Sequence, residues 1–131
     1  MRYRYPAPAR RKRASKKCEL SLVKLLEKHG WRAVRIPTSA SGNVKLPDVF
    51  AVRGKVIAAF EVKLAEKGRV YVSARQIKKL FDFLQLFEDL DCERVAVVAV
   101  RFKRRFWVFK RVEKIGDVRV DENELPDFNP Y

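Results

Sequence analysis

The sequence predicts an α/β domain, with a mixed central β-sheet flanked by helices. Three observations lead there. Two short, β-prone apolar runs stand on either side of Gly54-Lys55, which reads as a hairpin with a two-residue turn. Both faces of that hairpin are mainly apolar: Phe50, Val52, Ile57 and Ala59 on one, Val49, Ala51, Phe60 and Val62 on the other. Strands of that kind are central in a sheet covered on both sides. Around the hairpin the chain reads helix, strand, hairpin, helix, strand, strand, an order that lays helices on the sheet faces.

The elements follow in turn. Ser15 to His29 is an amphipathic helix capped by Ser15 and stopped by Gly30, with Leu22, Val23, Leu25 and Leu26 on its apolar side. Glu19 then lies near its first turn, where a carboxylate suits the helix dipole. Trp31 to Ile36 reads as a strand, and Pro37 to Asn43 as a small polar loop holding Ser39 and Ser41. After the hairpin, 66–69 turn into a short strand, Val70-Tyr71-Val72. Ser73-Ala74-Arg75-Gln76 fits a capping box and opens a second helix to about Leu90, its stripe Ile77, Leu80, Phe81, Leu84 and Phe87. Arg94 to Phe102 and Phe106 to Arg111 are two more strands around Lys103-Arg104-Arg105.

The hairpin also fixes the geometry of three charged residues. With Gly54-Lys55 as the turn, Arg53 pairs with Val56 and Asp48 falls opposite Glu61. Cross-strand partners sit with Cβ atoms about 4.5–5.5 Å apart. Lys63, two residues on, points to the same face as Glu61. A one-residue shift of the turn to Arg53-Gly54 keeps both acids on one face, and only an odd-length loop separates them. Two carboxylates and an ammonium at one end of an apolar hairpin form a divalent-metal site suited to a substrate with oxygen ligands. Asp48 as a turn cap and Glu61–Lys63 as a surface pair is the competing reading, which the apolar run before Glu61 disfavours. Phosphodiester hydrolysis fits this set: Asp48 and Glu61 hold the metal, joined by the Val62 carbonyl, and the metal supplies Lewis-acid and water-activating chemistry. Lys63 orients or deprotonates the water, or holds a non-bridging phosphate oxygen.

The 131 residues make one ordinary domain, without staples or internal repeats. No apolar run of about eighteen residues exists to span a membrane, and the first seventeen residues lack the apolar core of a secretory signal. Cys18 and Cys92 are too few and too far apart for a disulfide framework or a zinc site, which fits a cytoplasmic protein. His29 is the only histidine, so a metal here is a hard one on oxygen ligands. The net charge is +14, unevenly spread. Eight Lys or Arg and no acid fall in 1–17, while two basic and six acidic residues fall in 112–131. We expect a basic N-terminal arm over 1–14, disordered until Arg10, Arg11, Lys12 and Arg13 lie along phosphates, a folded body over 15–111, and a loosely attached acidic C-terminal tail over 112–131. A basic arm on a basic body implies a polyanion, nucleic acid first.

Pro47-Asp48, a strand-turn-strand spacer and Glu61-Val62-Lys63 resemble the PD-(D/E)xK nuclease signature of the restriction-endonuclease-like fold. Glu19 and the segment to Trp31, then Ala33-Val34-Arg35, Ser41-Gly42 ahead of Pro47-Asp48, and Val70-Tyr71-Val72 leading to Gln76 resemble the archaeal Holliday junction resolvases, the Hjc family, over roughly residues 15–100. The resemblance implies a homodimeric, Mg²⁺-dependent endonuclease, with Mn²⁺ as a substitute, that recognises four-way DNA junctions by shape and nicks two opposing strands. It needs no small-molecule cofactor and no membrane. Glu19 corresponds to the family's helix carboxylate completing the metal site, and Asp48 and Glu61 to the metal ligands. Lys63 corresponds to the catalytic lysine, Ser41 to a serine approaching the scissile strand, and Arg35 to a substrate-binding base. Leu20 stands where members often carry Arg, and Ser39 competes with Ser41. A less selective nuclease of this fold and a non-catalytic nucleic-acid-binding protein are the alternatives. A dimer interface is expected from exposed apolar residues between Phe102 and Phe109 or on the second helix.

Overall fold

A computed structural model describes residues 7–37, 46–103 and 106–131, the side chains of 7–9 excepted. The elements are α1 (Ala7–Lys28), β1 (Arg32–Arg35), β2 (Val49–Arg53), β3 (Val56–Ala65), β4 (Arg69–Val72), α2 (Ala74–Gln85), β5 (Glu93–Phe102), β6 (Trp107–Val112) and β7 (Val118–Asp121). Five strands form one sheet in the order β1-β2-β3-β5-β6, and β4 and β7 pair in a small second sheet. β3 and β5 run parallel and the other neighbours antiparallel, so the mixed α/β architecture expected from the sequence is the one observed.

The hairpin has the expected register. Arg53 pairs with Val56 and Val49 with Phe60, around a turn whose Gly54 has φ of 60°. That left-handed conformation suits glycine, which has no Cβ to clash. β2 ends at Val49, but β3 continues five residues further along β5, to Ala65 opposite Phe102. The overhang leaves Glu61, Val62 and Lys63 without a paired residue on β2.

One apolar layer joins Cys18, Leu22 and Leu26 of α1 to Val49, Ala51, Phe60, Val97 and Phe109 of the sheet. The other joins Ile77, Leu80 and Leu84 of α2 to Ile57, Ala59, Val98 and Val100. The hairpin is thus covered on both faces, as its two apolar sides predict. Burying each such aliphatic side chain contributes about 1.5–3 kcal/mol, and this drives the layers together. Ser73 caps α2 with the predicted capping box, though the helix ends at Gln85 and turns lead on to β5.

Four expectations need correction. α1 begins at Ala7, not Ser15, so Arg10, Arg11, Lys12 and Arg13 lie on a helix rather than in a disordered arm. Alanine, lysine and arginine are strong helix formers, so once the apolar face after Cys18 nucleates the helix the basic segment continues it. Glu19 is consequently mid-helix, and its dipole role lapses. The helix closes as expected, with Gly30 at φ of 87° and a Trp31 N–H to Leu26 carbonyl bond of 3.0 Å. The acidic C-terminal tail is not loose: β7 pairs with β4, and Phe128 packs on Phe60, Phe109 and Trp31 with ring centroids 5.8–6.0 Å apart. The Trp31 indole and the Arg53 guanidinium both donate to the Pro130 carbonyl, at 2.8 and 3.0 Å. Lastly, Phe102, Trp107 and Phe109 are core residues, leaving Phe106 as the exposed aromatic of that segment among the described residues.

Candidate active site

Asp48 stands just before β2, where its backbone N–H donates to the Phe60 carbonyl at 3.0 Å and its carbonyl accepts from Ile36 N–H at 2.9 Å. The bond from Ile36 extends the β1–β2 ladder by one step, whereas the bond to Phe60, already the partner of Val49, departs from the regular β2–β3 register. Asp48 Oδ2 accepts the Val62 N–H at 2.9 Å, replacing the ladder partner that the short β2 does not provide. In a strand the N–H and C=O of one residue face the same side, so the Val62 carbonyl is directed to the side of β3 on which Asp48 stands.

Glu61 and Lys63 point to the α2 face of β3, with Glu61 only 3% exposed. Lys63 Nζ lies 3.6 Å from Glu61 Oε1. From α2, Gln76 Nε2 donates to the same oxygen at 3.1 Å and Lys79 Nζ stands 3.9 Å from Oε2. Glu61 Oε2 is buried with no hydrogen-bond partner. Burial first, and then the Asp48 charge, push the Glu61 carboxyl up to about 7, against the opposing pull of Lys79 and Lys63. Glu61 is therefore no surface ion pair.

Glu19, carried in from α1, is also buried. Burial and then the Asp48 charge raise its pKa, partly countered by Arg35. Asp48 thus acts electrostatically on both glutamates, and the three sequence-predicted acids share one neighbourhood. They do not form a ready cage: among the described residues no group of three or more His, Cys, Asp and Glu is arranged to hold a metal. The reason is visible in their partners. Arg35 Nε takes Glu19 Oε1 at 3.0 Å, Asp48 is turned to the Val62 amide, and Gln76 holds Glu61. The donor chemistry fits a hard cation nonetheless. Two buried like-charged carboxyls, one with an orphaned oxygen, are costly side by side unless a positive charge joins them.

Arg35 is thus in the site, paired to Glu19 rather than displayed to solvent. Arg10, Arg11, Lys12 and Arg13 are exposed on α1, in the turns that precede Glu19 on the same helix. Ser39 and Ser41 lie outside the described residues. Sequence reasoning left Lys79 out, and used Gln76 for the capping box and the family resemblance without giving it a role at the site. Their spacing of three residues places both on one helix face, and two polar residues bordering the stripe Ile77, Leu80 and Leu84 were the available signal.

The model for the archaeal Holliday junction resolvase (Hjc) family matches residues 10–124. A crossover junction endodeoxyribonuclease Hje of Sulfolobus acidocaldarius is 41% identical over 106 residues, covering 80% of this chain and 74% of that protein. The Hje of Saccharolobus solfataricus is 37% identical over 113 residues, covering 85% and 82%. The solved structure of Archaeoglobus fulgidus Hjc, described as a Holliday junction resolvase from an archaeal hyperthermophile, superposes with a TM-score of 0.68 at 26% identity, covering 82% of this chain and 88% of that one.

Proposed function

This chain belongs to the archaeal Holliday junction resolvase family, and from that premise we propose that it is a homodimeric, metal-dependent endonuclease that resolves four-way DNA junctions by paired nicks, acting in the cytoplasm. The observation that carries the metal-dependent site is the buried Glu61 carboxylate beside Asp48, with Oε2 unpartnered. Asp48 and Glu61, with the Val62 carbonyl, would hold Mg²⁺ or Mn²⁺, and Glu19 would join them once released from Arg35. The bound cation would supply Lewis-acid stabilisation of phosphoryl charge and an activated water.

The protein's own groups do the rest. Gln76 fixes the Glu61 rotamer from the N-terminus of α2. Lys63, on the same strand face, holds or deprotonates the attacking water, its three donors free to turn on a flexible stem. Arg35 offers its guanidinium to a phosphate when it leaves Glu19, a bidentate contact of the kind arginine favours. Arg10, Arg11, Lys12 and Arg13 track the backbone of one junction arm. Two nicks placed symmetrically across a branch call for two sites related by a two-fold axis.

The test is cleavage of a labelled four-way junction beside a linear duplex of the same sequences, with Mg²⁺. Paired nicks near the branch, absent in the duplex and in Glu61→Gln, are the expected result. Equal cutting of both substrates would leave a general nuclease, and binding without cutting would leave a binding protein. Asp48→Ala should abolish Mn²⁺ binding by calorimetry, and unchanged binding would remove Asp48 from the metal site.

A further inference from the structure

Two lysines face Glu61, and the reaction outlined above uses only one of them. Lys63 lies beside Oε1, which Gln76 already serves at 3.1 Å. Lys79 faces the other oxygen, Oε2, from 3.9 Å, beyond hydrogen-bonding distance. No hydrogen bond reaches that oxygen. Lys79 is not a solvated surface lysine: its side chain is 24% exposed, whereas its neighbour Lys78 is 52% exposed and pairs with Asp82 at 2.7 Å. The apolar stripe of α2 locks the helix face that aims Lys79 at β3.

An ammonium 3.9 Å from a buried carboxylate neutralises it without satisfying it. A divalent cation would bind the same oxygen at about 2.0–2.1 Å, and two cations cannot share one carboxylate oxygen without repelling each other. Lys79 has a four-carbon stem and a partly open head, so it can withdraw without disturbing α2. The anion entering the site with substrate is a phosphodiester, for which a displaced ammonium is a ready donor. Building on the metal-dependent reading of this site, we propose that Lys79 holds the metal position at Glu61 Oε2 in the metal-free enzyme, yields it to the incoming cation, and then donates to a non-bridging oxygen of the scissile phosphate.

Lys79→Met keeps the stem and the helix propensity but removes the charge. Mn²⁺ binding to the DNA-free variant, by calorimetry, should tighten roughly three- to tenfold, because a repelling charge has gone. Single-turnover cleavage at saturating Mg²⁺ should fall about tenfold or more, the loss of one charge-assisted hydrogen bond. Junction affinity measured in Ca²⁺ should change less than about twofold, since phosphates elsewhere dominate binding. Lys79→Arg, which keeps the charge, should keep most of the cleavage rate. Mn²⁺ binding that is unchanged or weaker, or an unchanged cleavage rate at saturating metal, overturns the assignment. A wild type that neither binds Mn²⁺ nor nicks the junction would instead bring down the metal-dependent reading itself. A wild type that does both beside an identical Lys79→Met removes Lys79 alone.

Discussion

Glu61 carries a stability signature that can be measured without DNA. Its folded-state pKa of about 7 lies above the ordinary glutamate value of 4.5. Between those two values the folded protein holds more protons than the unfolded one, so stability is fully present below 4.5 and is lost as pH rises through 7. Glu19 is shifted in the same direction and adds to the slope. Urea unfolding of the metal-free protein should therefore give a free energy lower by about 1–3 kcal/mol at pH 8 than at pH 5. Glu61→Gln should remove most of that difference and be the more stable protein at pH 8, while losing cleavage. A wild-type slope that persists in the variant would show that the charge sits comfortably. The hairpin register that brings Asp48 near Glu61 was legible from sequence because a two-residue turn and the period of a strand determine it. The pairing of Arg35 with Glu19 was not, because it depends on how α1 is rotated and where it crosses the sheet.

At the scale of elements, the cap of α2 is joined to the site through one side chain. Gln76 Oε1 accepts from the Ser73 N–H at 3.2 Å while its Nε2 donates to Glu61 at 3.1 Å. Ser73→Ala should cost about 1 kcal/mol of stability, the usual loss of a helix cap, and should also slow cleavage several-fold by loosening Gln76. Equal stability loss from a cap-neutral change elsewhere in α2, with no loss of rate, is the control. An unchanged rate in Ser73→Ala would break the proposed link. The capping box itself was readable from Ser73 and Gln76, yet its second contact was hidden, because nothing local says which strand the helix start will meet. The C-terminal tail was misread for a related reason. Four residues of β7 carry no periodicity of their own and gain their place only by pairing with β4, which is distant in sequence. Phe128→Ala should cost about 2–3 kcal/mol by leaving a void among Trp31, Phe60 and Phe109, with thermal unfolding as the measure.

For the whole molecule, the net charge of +14 makes junction binding a strongly salt-dependent process. Changing Arg10, Arg11, Lys12 and Arg13 together to Gln should flatten the plot of log affinity against log salt by up to about four phosphate contacts. Stability should change little, since these four residues are exposed and Cys18 is the first buried residue of α1 among the described side chains. An unaltered slope would mean that this segment lies off the DNA. Composition showed the charge, and only the structure shows that it is carried on the same helix that delivers Glu19. A basic stretch has the same composition whether it is coiled or helical, so the reach and direction of those residues depend on the body beneath.

The bond from the Val62 amide to Asp48 has a spectroscopic use. That amide proton is protected by a carboxylate and not by a neighbouring strand, so its chemical shift and exchange rate respond to whatever changes the electron density on Asp48. In a nitrogen-labelled sample, one backbone resonance in the interior of the sheet would thus follow cation binding at Asp48 directly, in the absence of DNA and of turnover.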